Sequence, residues 1–101
     1  MTTFEDIVKK LTKSSDITAG NLFGKPCIKV NGKAFVASFK EDMAFKLTGK
    51  AHEKALALKG SKLWDPSGKK RPMKEWVQIH NKYSDEWLEF AKEAKNYVKN
   101  G

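Results

Sequence analysis

The 101-residue chain has one cysteine, one arginine, three prolines, and no long apolar run. A lone Cys27 cannot close an internal disulfide, which excludes the disulfide-stapled secreted scaffolds. No stretch approaches the ~18 apolar residues of a membrane span, and the opening MTTFEDIVKK carries acids where a signal peptide needs a basic start and an apolar core. The expectation is a cytoplasmic, reduced, single domain over residues 1–101, long enough for one modest core. With Arg71 the only arginine among twenty cations, the bidentate chemistry that reads guanine or grips phosphate in a fork is nearly missing.

What the chain does have is lysine, unevenly spread. Residues 1–23 balance Lys9, Lys10 and Lys13 against Glu5, Asp6 and Asp16, and residues 75–101 set four lysines against five acids. Residues 24–74 hold thirteen bases against Glu41, Asp42, Glu53 and Asp65, a net +9 within an overall +8. Such an excess suits an anionic partner. Lysines on solvent faces and sheet edges that keep a small protein dispersed are the plainer reading.

Periodicity predicts a helix from Thr3 to Lys13, capped by Thr3, with Phe4, Ile7, Val8 and Leu11 as its apolar stripe. Ile17 to Phe23 reads as a weak strand, and PCIKVNGKAFVASF as a hairpin turning at Asn31 and Gly32. Regular pairing would set Ile28 opposite Phe35 and Pro26 opposite Ala37, leaving Cys27, Lys29, Val36, Ser38 and Lys40 on a more polar face. A three-residue loop of Lys40, Glu41 and Asp42 would then bring Phe45 opposite Ala37 and gather the large apolar residues on one face. A second helix is expected from Lys50 to Lys59 with Ala51, Ala55, Leu56 and Leu58 inward and Gly60 as its cap. Trp64 closes a short extended piece, Glu75 to Ile79 is the last strand, and a final helix starts at Ser84 with Trp87, Phe90, Ala91, Ala94, Tyr97 and Val98 buried. The fold class is α+β: an antiparallel meander with a late β-hairpin, packed by N-terminal, middle and C-terminal helices.

The candidate site is the stretch LWDPSGKKRPMKEWVQI. Asp65, Pro66, Ser67 and Gly68 fit a type I turn, so turn geometry accounts for Pro66 and Gly68 without a ligand. Lys69, Lys70, Arg71 and Lys74 between Trp64 and Trp76 are left over. Cations interleaved with exposed aromatics suit a single-stranded nucleic acid; buried tryptophans and solvated lysines are the alternative.

Other constellations are weak. GNLFGKP falls short of a phosphate loop, with three residues between its glycines where four are needed and Pro26 where a hydroxyl should hold magnesium. His52 and His80 share no ligand spacing with Cys27. A Cys27–His80 pair leaves a small enzyme as a minor alternative, and Glu86, Glu89 and Glu93 have the spacing of a solvated helix stripe. No cofactor or metal is expected.

LFGKPCIKVNGKAFVASFKEDMAFKL resembles the core meander of the TfoX/Sxy amino-terminal domain family, and LWDPSGKKRPMKEWVQI resembles that family's late Gly-basic-x-Met-x-x-Trp hairpin. The resemblance runs from about Leu22 to Ile79, with the closing helix in the expected place and His80 where many relatives carry proline. It implies an α+β fold and a non-catalytic regulatory or interaction role. Members of that family regulate natural competence through this domain and a following helical one, for which this chain has no room, so it reads as a stand-alone domain. The YjbR-like proteins are a neighbouring family of comparable build, likened to DNA-binding folds. The partner is left open between a protein, a nucleic acid and a second copy; no membrane association is expected.

Overall fold

The computed structural model describes residues 3–66 and 72–100. Its elements in chain order are α1 (Phe4–Leu11), β1 (Ile17–Leu22), β2 (Lys25–Val30), β3 (Lys33–Phe39), β4 (Asp42–Lys46), α2 (Gly49–Ala57), β5 (Lys62–Leu63), β6 (Trp76–Ile79), a 3₁₀ segment Asn81–Glu86, and α3 (Trp87–Asn100). The six strands form one antiparallel sheet in the order β1-β2-β3-β4-β6-β5, so the late hairpin docks through its second strand. The helices cover one face of this α+β domain.

Local chemistry sets the ends. Thr3 caps α1 in a reciprocal box: the Asp6 amide donates to Thr3 Oγ1 at 3.2 Å, and the Thr3 amide donates to Asp6 Oδ2 at 3.0 Å. Lys99 Nζ reaches the Asp16 carboxylate at 3.0 Å and ties α3 to the chain between α1 and β1. Hydrogen bonding from Thr3 lowers the Asp6 pKa below its ordinary 3.8, and hydrogen bonding from Lys99 does the same for Asp16. Depressed carboxylates stabilise the fold above their unfolded pKa, and that contribution is lost as pH falls through the folded values. Asp6→Asn with Asp16→Asn should therefore lower the melting temperature near neutrality but flatten its decline below about pH 4. An equally steep acid limb would overturn this.

The β2–β3 hairpin turns at Asn31 (φ 51°) and Gly32 (φ 82°), as expected. Its register does not run through. Val30 faces Lys33 and Lys29 faces Ala34, then a bulge shifts the pairing so that Ile28 faces Val36 and Cys27 faces Ala37. Phe35 is the extra residue, and Phe35 and Val36 both point into the helix-side core. Ile28 thus does not face Phe35, Pro26 does not face Ala37, and Val36 is not on a polar face.

The β3–β4 loop is two residues, Lys40 and Glu41, with Phe39 facing Asp42 and Val36 facing Phe45; the three-residue loop is not formed. The bulge has already put Val36 on the core side, so the tighter turn still pairs Val36 with Phe45 there. Ala37 and Phe39 go to the reverse face, which has a small core of its own: Cys27, Ala37, Ala44, Trp64 and Trp76, edged by Leu22, Ala34, Phe39 and Met73.

All three helices differ at a boundary, and α1 stops at Leu11 with Thr12 as its C-cap, short of the expected Lys13. Gly60 lies in the turn after α2, whose C-cap is Leu58, and Leu56 faces solvent. The last helical stretch begins at Asn81, before Ser84, because His80 Nδ1 caps it by accepting from the Lys82 amide at 3.0 Å. Five of the six residues of the predicted α3 stripe are buried, Trp87, Phe90, Ala91, Ala94 and Val98, whereas Tyr97 is half-buried at its edge with its hydroxyl bonded to Glu75.

Candidate functional site

The reverse face of the sheet is where charge and aromatic rings meet. Strand pleating puts Lys25 and Lys29 of β2, Lys46 of β4 and Lys62 of β5 on the side of Cys27, Ala37, Ala44 and Trp76. Among the described residues the only acid within a strand is Asp42. Its carboxylate accepts from Gln78 Nε2 at 2.8 Å and from the Asn81 amide at 3.1 Å, so it is committed to joining β4 to β6.

Trp64 anchors this face. Its amide donates to Trp76 O at 2.8 Å and its carbonyl accepts from the Met73 amide at 2.9 Å, which closes the late hairpin over the sheet. Ring centroids lie 5.1 Å from Trp76, 5.8 Å from Phe39 and 6.2 Å from Phe23, the last two edge-to-face. Trp64 is 0% exposed and Trp76 7%, so neither offers a ring to a ligand. The expected tryptophan pair is the floor of the site. The rings at the surface are Phe39, half-buried, and Phe23, 62% exposed.

Phe39 carries two cations: Lys25 Nζ lies 5.6 Å and Lys40 Nζ 5.4 Å from its centroid. Beside it, Phe39, Lys40, Lys62, Leu63, Asp65, Pro72 and Gln78 line an open depression of about 480 Å³. Phe23 sits at the tip of the β1–β2 turn with φ 54°, followed by Gly24 at 76°. A bulky side chain in the left-handed region is strained by about 1–2 kcal/mol. Asparagine or glycine would turn there without that cost.

Of the expected site residues, Lys69, Lys70 and Arg71 lie outside the described residues. Lys74 is exposed, and its carbonyl accepts a 2.7 Å bond from His52 Nε2, which fastens α2 to the hairpin. Tyr97 Oη donates to Glu75 at the foot of the same hairpin, which raises the tyrosine pKa. Sequence reasoning missed Phe23, Phe39, Lys25, Lys40 and Lys62. The adjacent Phe-Gly-Lys and Phe-Lys pairs were visible, but the bulge that turns Phe39 to the lysine side was not.

Cys27 and His80 are not brought together. Cys27 aligns through Ala37 and Ala44 with Gln78, three strand spacings or about 14 Å away. Cys27 is 0% exposed, burial raises its thiol pKa, and the His80 ring is engaged as a cap. Among the described residues no cluster of three or more His, Cys, Asp or Glu could hold a metal ion. Asp85, Glu86, Glu89 and Glu93 line a groove of about 340 Å³ between α2 and α3, on the side away from the lysine face. No helix among the described residues is long and apolar enough to cross a membrane. Compared with known proteins, the chain matches no family model, no curated protein and no solved structure.

Proposed function

We propose that this chain is a non-catalytic interaction domain that docks a polyanion, a single-stranded nucleic acid, on the reverse face of its sheet beside the late hairpin. The observation that carries the reading is Phe39 with the Lys25 and Lys40 ammonium groups at its ring, next to Lys62, on a face where the strand acid Asp42 is already bonded and, among the described residues, Asp65 is the one other acid at the depression. Phosphates would pair with the lysines, and bases would stack on Phe39 and Phe23. Lysine as the cation predicts tolerance of sequence. The resemblance to the TfoX/Sxy amino-terminal domains supports a regulatory rather than a catalytic role.

Fluorescence anisotropy with labelled single-stranded DNA and RNA tests it. Three ammonium contacts imply a slope of log K on log salt of about −2, so affinity should fall roughly fifteen-fold between about 50 and 200 mM salt. Lys25→Gln, Lys40→Gln and Lys62→Gln together should remove most of that slope. Phe23→Asn should weaken binding while leaving the melting temperature the same or higher, because it relieves a strained turn. Absence of binding at low salt would overturn the reading. Binding lost only when Lys69, Lys70 and Arg71 are neutralised would move the contact from Phe39 to those three cations.

A further inference from the structure

The two edges of the sheet are built differently. β5 is a two-residue edge beginning with a lysine, the usual protection against unwanted pairing. β1 at the other edge is six residues, Ile-Thr-Ala-Gly-Asn-Leu, with no charge and no proline. Its pairing pattern is fixed at one end, where the Asn31 amide donates to Asp16 O at 2.9 Å. Alternation along the β1–β2 register then turns Thr18, Gly20 and Leu22 inward to β2, and leaves the N–H and C=O groups of Ala19 and Asn21 directed outward. Among the described residues none bonds to them there.

A charge stands beside this edge. The Lys29 side chain lies across Gly20: a Cβ there would meet Lys29 Cε at 3.2 Å and Nζ at 3.5 Å. Glycine thus lets a β2 ammonium reach over the edge strand. Lys29 has no carboxylate partner among the described residues, and the nearby Asp16 is already paired with Lys99.

We propose that β1 accepts an extended acidic peptide of a protein partner as a seventh strand, with a glutamate or aspartate opposite Gly20 paired to Lys29. Residues directly opposite in adjacent strands share a face, so a side chain opposite Gly20 rises on the Lys29 side. Main-chain bonds to Ala19 and Asn21 supply the docking, and the carboxylate selects the sequence. A second copy fits less well: its β1 brings no carboxylate, its own Lys29 returns to the seam, and each chain carries +8. The site uses none of the residues at Phe39, so it stands or falls apart from the nucleic-acid reading.

Amide hydrogen exchange by NMR tests it, with a heptapeptide of alternating threonine and glutamate as probe. Saturating peptide should slow exchange at Ala19 and Asn21 by about tenfold or more, because those amides become bonded. The lysine-for-glutamate peptide should give no protection, and Lys29→Gln should weaken the effect of the acidic one. Ala19→Pro removes an outward N–H without touching the β1–β2 ladder, and should abolish it. If that variant fails to fold, Lys29→Gln and the charge-reversed peptide decide. Unchanged exchange at millimolar peptide, or equal protection by both peptides, would overturn the proposal. Protection in the protein alone that rises with its concentration would give the edge to a second copy and overturn it as well.

Discussion

Trp64→Ala should destabilise the protein by about 3–5 kcal/mol, the usual cost of removing a fully buried indole. With about 4–8 °C of melting temperature per kcal/mol for a domain of this size, the transition should fall by well over 10 °C. The reasoning begins with position. Trp64 follows a two-residue strand that has little pairing of its own, so the late hairpin is held largely by what this ring touches. Without the ring, the backbone bonds to Trp76 and Met73 lose the packing that shields them. Trp64→Phe separates packing from polarity. The indole Nε1 is buried with no acceptor among the described residues, so phenylalanine deletes an unsatisfied donor while keeping part of the volume. It should cost clearly less than alanine, and circular dichroism melts of both variants check the order. Equal melting temperatures for wild type and Trp64→Ala would mean that the ring is a surface feature and that the reverse face has no core.

The same residue shows where the sequence could be read and where it could not. Helix stripes were legible because 3.6-residue periodicity needs only neighbours: Ile7 and Leu11 of α1, and Phe90, Ala91 and Ala94 of α3, lie where spacing puts them. The Asn31–Gly32 turn was legible because those residues tolerate positive φ. The register beyond it was not. A bulge costs one residue and leaves no compositional mark, and at Phe35 it exchanges the faces of everything downstream in β3. One-sided burial was then the wrong criterion for choosing the next loop, since the hairpin covers the other side. The burial of the two tryptophans was illegible for a related reason, that only the fold decides which face a ring takes. Trp64 and Trp76 stand between cations in the chain, yet the fold turns their rings inward and brings Phe39 to Lys25, fourteen residues away in sequence. His52 is a further case, because its bond to the Lys74 carbonyl joins residues 22 apart.

Trp87→Ala should cost a similar 3–5 kcal/mol, but it should fail in a different place. Trp87 is the first residue of α3, 4% exposed, and belongs to the helix-side core with Ile7, Met43 and Phe45. Just before it, the 3₁₀ segment has a non-helical Tyr83, and its first two amides are held by side chains, Asn81 by Asp42 and Lys82 by His80. Short 3₁₀ runs have poor hydrogen-bond geometry, so this segment depends on the packing of the helix it leads into. The start of α1 borders the same core: Phe4 packs against it, and Thr3, Phe4, Met43, Asn81 and Trp87 line one shallow depression. Removing the indole should therefore loosen α1 and residues 81–86 before the sheet opens, and their amides should exchange faster than those of β3 and β4. Trp64→Ala should show the reverse, with β5 and β6 exchanging first and α1 unaffected. Hydrogen exchange on the two variants tests whether the sheet holds two separable cores. Identical exchange patterns would mean that both faces unfold as one unit and that the hairpin cannot move independently of the helices.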